Sequence, residues 1–350
     1  MPRSALNQPS VDPTPIFEHF RGSFGSELLT AAITHFDLFG RLAEAPKSFD
    51  ALRNELGLDQ RPALVLLTAM RAMGLLADDE AGRVALTPLA SEHLVTGGEF
   101  DVSDYVGLAA DSPGVVAMVA RLRSNRPAGS DSDEAGAAFI YREGIDSAME
   151  QEQSARALTL VLAGRAKNVA PVMAERVSLD GVKRLVDVGG GTGIYSIAFL
   201  QKNRALRAVV FDRPEVLKVA EEMAAAYGVS DRLECKAGDM FADELPAGEV
   251  ILLSNILHDW DVPECQSLVQ RCADALPTGG RLLVHDVYLN DALDGPLPIA
   301  LYSANLFALT EGRAYSAAEY RTWLREAGLT PCEIIPTLVH CGVLPGLAAC

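Results

Sequence analysis

Apolar residues recur at helical spacing from Ile16 to Leu42, through Phe17, Phe20, Phe24, Leu28, Leu29, Ala32, Ile33, Phe36 and Phe39, with Gly40 and Pro46 as punctuation. Ser48 stands as an N-cap before 49–56, and Gly57 ends that segment. Residues 61–76 form a further apolar helix, and 78–86 reads as a small hairpin. Helix, helix, helix, hairpin is the order of a winged helix. Residues 101–178 look helical and connecting; within them 124–131 is a loop and 152–176 a long amphipathic helix. From Leu179 the pattern changes. Short apolar runs at 185–188, 207–211, 233–236, 250–254 and 281–285 alternate with helical stretches at 194–200, 214–227 and 262–276. Ser316 caps a helix over 317–327 that Gly328 ends, and 333–335 with a final short stretch completes the sheet. Repeated strand–helix units imply a mostly parallel sheet that binds ligands at the carboxyl ends of its strands.

Chemistry gathers at those ends. The run Val186-Asp187-Val188 leads into Gly189, Gly191 and Gly193, a Gly-x-Gly-x-Gly turn tighter than the dinucleotide fingerprint. No Gly-Lys-Ser/Thr follows, which excludes a phosphate-gripping P-loop. The glycines let a ligand approach the backbone, and the following helix presents its N–H groups. About twenty residues on, the second strand ends in Asp212, placed to accept both hydroxyls of a ribose. After the third strand, Gly238-Asp239-Met240-Phe241 offers an acid and apolar neighbours suited to the edge and face of an adenine. Together the three pieces describe a nucleoside site.

Composition narrows the classes. The 350 residues suffice for two domains and a sizeable core, and 49% of them are hydrophobic, as in globular proteins. The net charge is -17, which disfavours a nucleic-acid surface. The recognition helix of a DNA-binding winged helix would carry only Arg61 and Arg71. No signal region opens the chain and no apolar run approaches a membrane span. The six cysteines, Cys235, Cys265, Cys272, Cys332, Cys341 and Cys350, form no Cys-x-x-Cys pair. They read as reduced thiols of a cytoplasmic protein with no zinc site.

In order along the chain, Val-Asp-Val-Gly-Gly-Gly-Thr-Gly (186–193), Phe-Asp-Arg-Pro-Glu-Val (211–216), Gly-Asp-Met-Phe (238–241) and Leu-His-Asp-Trp-Asp (257–261) resemble the S-adenosylmethionine-dependent O-methyltransferases. The subgroup is that of caffeic acid, hydroxyindole and bacterial polyketide O-methyltransferases, and the resemblance runs from about Phe17 to Leu338. It implies an α/β fold: a Rossmann-like class I methyltransferase domain, with a seven-stranded mostly parallel sheet, behind a helical winged-helix dimerisation domain. The division it implies is a flexible arm at 1–15, a dimerisation domain at 16–100, a connecting region lining the substrate pocket at 101–178, and a catalytic domain at 179–350. The partners implied are a small-molecule acceptor and a second copy of the chain, with no nucleic acid and no membrane.

The resemblance also implies roles for single residues. S-adenosyl-L-methionine would be held by Asp187, Gly189, Gly191, Gly193, Asp212, Asp239, Met240, Phe241, Ser254 and Trp260. His258 would be the general base that takes a proton from an acceptor hydroxyl, and Asp286 its orienting carboxylate. Phe139, Met149, Tyr302, Asn305 and Phe307 are candidates for contacting the acceptor. No residue is assigned to a metal; His258, Asp259 and His285 together would be the alternative, an iron-type set. The chain departs from its relatives in three places. Ala314 occupies the place of a second carboxylate, Ser254 that of a lysine in the plant enzymes, and His285 stands unexpectedly beside Asp286. These departures leave carbon or nitrogen methylation, or a repurposed member of the fold that does not methylate, open beside oxygen.

Overall fold

The computed structural model describes residues 2–126, 140 and 152–349. The chain divides into two compact units, one of residues 1–17, 138–288 and 317–350, the other of residues 18–137 and 289–316.

The helical unit follows the expected order. Asp37 takes a left-handed φ of 46° and breaks the first apolar stretch, so that Gly25–Thr30 and Leu38–Glu44 are separate helices. Ser48 caps Phe49–Leu56 by accepting from the Ala51 N–H at 3.3 Å, and Gly57 closes the helix in the left-handed region. The helix Gln60–Ala72 is buried along most of its length. Strand β1 (Leu76–Asp78) pairs antiparallel with β2 (Val84–Leu86) as a hairpin. Arg61 is buried and donates to Asn125 Oδ1 at 2.9 Å and to the Thr310 carbonyl at 2.9 Å, while Arg71 pairs with Asp78 at 2.7 Å. Both arginines of the supposed recognition helix are thus engaged inside the unit.

The sheet unit contains the helix Glu152–Arg176 and strands β3 (Arg184–Val188), β4 (Arg207–Asp212), β5 (Leu233–Ala237), β6 (Val250–Ser254), β7 (Arg281–Val287), β8 (Thr330–Pro331), β9 (Ile335–Pro336) and β10 (Cys341–Leu347). The order is β5-β4-β3-β6-β7-β10-β8, with β9 also on β10. The five strands from β5 to β7 are parallel, and β10 runs antiparallel to β7. This is the mostly parallel sheet expected, with eight strands among the described residues instead of seven. The surplus comes from the two-residue strands β8 and β9. Strands β3, β6 and β7 are buried on both faces, as parallel strands between helical layers are, and carry Asp187, His285 and Asp286 among their apolar residues.

Two boundaries differ from those read in the sequence. The helix Leu297–Leu309 belongs to the helical unit, not to a continuous domain over 179–350. With no polar face, it is buried over most of its length while Leu297 and Leu309 at its ends stay exposed; Leu301, Ala304 and Phe307 join the core of the helical unit. The arm is pinned to the sheet unit instead of swinging free. Arg3 N donates to the Ala226 carbonyl at 2.9 Å, Ala5 N donates to Gln201 at 2.7 Å, and Ala5 is buried.

Candidate active site

The glycine turn follows β3 directly. Gly189 takes a φ of 65°, and a Cβ there would fall 2.5 Å from Ile256. Gly191 takes a φ of 58°, and nothing lies within 4 Å of where its Cβ would be. A side chain at Gly191 would therefore fill space that the turn keeps open. Asp212, at the end of β4, accepts from the Gly191 N–H at 2.9 Å and from the Arg213 N–H at 2.7 Å. Its carboxyl is held above the usual range because burial outweighs those donors.

A cavity opens at this end of the sheet. Asp187, Gly189, Gly191, Asp212 and Ser254 line it, as the sequence reading brought together. So do Thr192, Tyr195, Asn255, Ile256 and Asp259, and, from the helix Glu152–Arg176, Thr159, Ala163 and Arg165. Gly193 caps the next helix and is not on the wall. Asp239, Met240, Phe241 and Trp260 also lie off it. Phe241 and Trp260 pack edge to face at 4.9 Å, and the Met240 sulfur lies 3.9 Å from the Cβ position of Gly189. Three of the acceptor candidates sit in the helical unit. Tyr302 lies under the Arg21 guanidinium at 4.6 Å, Asn305 donates to the Arg21 carbonyl at 3.0 Å, and Phe307 is fully buried. Phe139 and Met149 fall outside the described residues.

Among the buried polar atoms of the cavity-lining residues, Asp187 Oδ1, Asn255 Oδ1 and Thr159 Oγ1 have no hydrogen-bond partner among the described residues. Such atoms are costly when left unmade, so they mark a place for a polar ligand. Asp187 Oδ2 accepts from Ser196 Oγ at 2.8 Å. Burial pushes the Asp187 carboxyl up to about 7, against the Ser196 bond, and the charge of Asp212 adds to the rise. Orphaned acceptors beside an open glycine cradle fit a ligand with an amino-acid end, a ribose and a base. The residues present therefore suit the donor that the resemblance implies.

His258 lies in the turn after β6 and is buried. Its Nδ1 meets Asp286 Oδ1 at 2.5 Å. Asp286, near the end of β7, also accepts from the Val287 N–H at 2.8 Å and, at Oδ2, from the Tyr320 hydroxyl at 3.0 Å. Burial works against a charged Asp286. His258 and these donors outweigh it and hold the carboxyl below the usual range. Burial likewise works against the imidazolium, but Asp286 first and Asp259 second raise the pKa of His258 above the ordinary value. An ionised Asp286 is an acceptor only, so Nδ1 carries the proton and Nε2 presents a lone pair. Nε2 lies 3.6 Å from Asp259 Oδ1. His285 points elsewhere: Ser254 Oγ engages its Nδ1 at 2.8 Å and Thr337 its Nε2 at 3.2 Å. With both nitrogens occupied, it cannot complete a metal set with His258 and Asp259. Among the described residues no group of three His, Cys, Asp or Glu could hold a metal ion.

Tyr320 was not read from the sequence. It sits on the helix Ala317–Glu326 and packs edge-on between Tyr288 and Trp323, so in the sequence it looks like one more buried aromatic. Ala314 is fully buried in the helical unit, its N–H donating to Ser303 at 3.2 Å.

Known proteins match most of the length of the chain. An O-methyltransferase domain model matches residues 133–330. A 3-hydroxy-5-methyl-1-naphthoate 3-O-methyltransferase of Streptomyces sahachiroi is 36% identical over 92% of this chain and 91% of its own. An L-tyrosine C(3)-methyltransferase of Streptomyces lavendulae is 31% identical over 79% of this chain and 76% of its own. The crystal structure of an O-methyltransferase family 2 protein from Planctomyces limnophilus DSM 3776, in complex with apigenin, is 48% identical with a TM-score of 0.89, covering 99% of each chain. On the motif order, the fold and these matches, the chain belongs to the O-methyltransferase family.

Proposed function

We propose that this protein moves a methyl group from S-adenosyl-L-methionine to a hydroxyl of a small aromatic or polyketide-type metabolite, with His258 as general base. The observation that carries the reading is the buried His258–Asp286 pair, supported by Tyr320, at the carboxyl end of the sheet. When bound, the donor supplies an electrophilic methyl group on a sulfonium sulfur. Asp212, Asp187 and the turn at Gly189 and Gly191 would hold it, with Met240, Phe241 and Trp260 near the turn.

The chain itself must orient an acceptor and take its proton. A phenol has a pKa of about 10 and is protonated at neutral pH. His258 Nε2 receives that proton while Asp286 fixes the ring and stabilises the imidazolium that forms. The raised pKa of His258 makes it a stronger base than a free imidazole. A naphthoate 3-O-methyltransferase among the relatives and apigenin in a similar structure both support an aromatic hydroxyl as acceptor.

A second reading is carbon methylation. The tyrosine C(3)-methyltransferase relative and Ala314 at the place of a second carboxylate favour it. In that reading His258 would still take a phenolic proton, the ring carbon would attack the methyl group as its bond to sulfur breaks, and loss of that carbon's hydrogen with reprotonation of the oxygen would restore the aromatic phenol. Transfer of labelled methyl from the donor to a panel of phenols, with the product's methylated atom located by NMR, separates the two.

The same reading includes a homodimer built through residues 16–100 and a cytoplasmic location. Exposed Phe100, Tyr105 and Leu108 give the helical unit apolar surface at and just beyond those residues. The described cysteines are all free thiols, as in a reducing compartment. Among the described residues no helix is long and apolar enough to cross a membrane. Light scattering at micromolar concentration tests the dimer: a monomer would overturn it.

A further inference from the structure

His285 takes no part in the proton transfer, yet it is fully buried and both its nitrogens are engaged. Its neighbours form a line: Thr337 Oγ1, His285, Ser254 Oγ, and then the Asn255 amide, whose Nδ2 donates to Ser254 Oγ at 3.1 Å. Asn255 is also tied back by its N–H to the His285 carbonyl at 2.8 Å, and it sits in the left-handed region at a φ of 57°.

One assignment of hydrogens satisfies each bond of this line. Ser254 has a single hydroxyl hydrogen, accepts from Asn255 Nδ2, and gives that hydrogen to His285 Nδ1, with the Tyr195 hydroxyl beside both Ser254 and Asn255. A neutral imidazole then carries its proton on Nε2 and donates it to Thr337. His285 is neutral: burial, the largest influence, holds its pKa down to about 3. With the opposite tautomer, Ser254 would receive from Nδ1 and free its hydrogen for Asn255 or Tyr195. Turned toward Asn255, that hydrogen favours the reversed amide, which presents NH₂ instead of oxygen.

The orientation seen leaves Asn255 Oδ1 buried and without a partner. Asp187 Oδ1 on the same cavity wall is in the same state. The Asn255 oxygen is an acceptor only, and so is Asp187 once ionised beside a cation. A buried carboxylate and a buried carbonyl oxygen call for a positively charged group with several hydrogens. In the donor that group is the ammonium of the amino-acid end; the nucleoside end has none.

We propose that His285 is a positioning residue for donor binding. Through Ser254 it holds the Asn255 carbonyl oxygen toward the cavity, where that oxygen and Asp187 Oδ1 accept from the donor's ammonium group. The inference rests on reading the cavity as the donor site.

Calorimetric titration with two ligands tests it without turnover. S-adenosylhomocysteine carries the amino-acid end; 5′-methylthioadenosine keeps the nucleoside and sulfur but lacks it. Asn255→Gly removes the carbonyl oxygen and tolerates the positive φ. It should weaken S-adenosylhomocysteine about tenfold and leave 5′-methylthioadenosine unchanged. His285→Leu should do the same. His285→Asn should restore binding, because its carboxamide oxygen replaces Nδ1 as acceptor. If His285→Leu does not fold, Asn255→Gly decides alone. Equal losses on both ligands in Asn255→Gly, or no loss on either, would overturn the proposal. A wild-type protein that binds both ligands equally would overturn it too and leave the donor reading standing. A wild-type protein that binds neither would overturn the donor reading itself, and the proposal with it.

Discussion

Asp187→Asn removes a buried charge at constant shape, and its consequence can be worked from the structure. The Asp187 side chain is fully buried, receives one hydrogen bond from Ser196, and has its other oxygen unpartnered among the described residues. Its carboxyl titrates near 7 in the folded protein, against 3.8 ordinarily. A folded-state pKa raised above the unfolded one means that stability is full below the unfolded pKa and is lost as pH rises through the folded one. Between these limits the folded state binds one more proton, so stability falls by about 1.4 kcal/mol for each pH unit. From pH 5 to pH 8 the wild type should lose roughly 2–3 kcal/mol that Asp187→Asn, with nothing to titrate there, does not lose. The new amide keeps the Ser196 bond but leaves a buried NH₂ unpaired, which costs about 1–3 kcal/mol at every pH. The variant should therefore be no more stable than the wild type at pH 5 and should gain on it by pH 8. Urea unfolding of both proteins at several pH values measures this. A stability difference that does not change between pH 5 and pH 8 would refute the reasoning. The same variant should bind S-adenosylmethionine more weakly, because a ligand cation loses its counter-charge.

Asp212→Ala should weaken donor binding by about 1.5–3 kcal/mol through the lost charge-assisted bonds. Because Asp212 also holds the Gly191 N–H, part of that loss should appear as a looser turn, read as faster amide exchange around Gly191 in the ligand-free protein; unchanged donor affinity would count against the assignment. Tyr320→Phe removes a bond to a buried carboxylate and should lower stability by about 1.5–3 kcal/mol in denaturant unfolding. Without that donor Asp286 is more basic and holds the His258 proton more tightly. The acid limb of kcat/KM, set above the ordinary histidine pKa in the wild type, should then move to higher pH. A limb that stays in place or moves down would show that Tyr320 does not act through Asp286.

Much of the sheet unit was legible because strands β3, β4, β6 and β7 are short, mainly apolar runs ended by residues with a chemical signature. Asp187, the glycines, Asp212 and Ser254 meet at one cavity because successive parallel strands deliver their carboxyl ends to one edge. The pair His258 and Asp286 was legible through family motifs alone, since 28 residues separate its members and nothing local announces the bond. What stayed hidden depends on tertiary placement. The helix Leu297–Leu309 has no polar face to show which core it joins. Tyr320 looks like a packing aromatic until its hydroxyl is seen on Asp286. Asn255 and His285 gain meaning only from a line of hydrogen bonds spanning β6, β7 and Thr337. The arm looked flexible because it is polar and proline-rich; two backbone bonds and the burial of Ala5 hold it down.

If His258 takes the acceptor's proton while other residues hold the donor, removing its imidazole should slow transfer and spare donor binding. One paired measurement tests this: methyl-transfer rate on the acceptor found in the screen, and calorimetric S-adenosylmethionine affinity, for the wild type and His258→Ala. Removing a general base usually slows a reaction by about 10²–10⁴-fold. A loss of that size with donor affinity nearly unchanged is the expected result. Near-normal turnover in His258→Ala would contradict the claim and leave alignment of the two substrates as the source of catalysis.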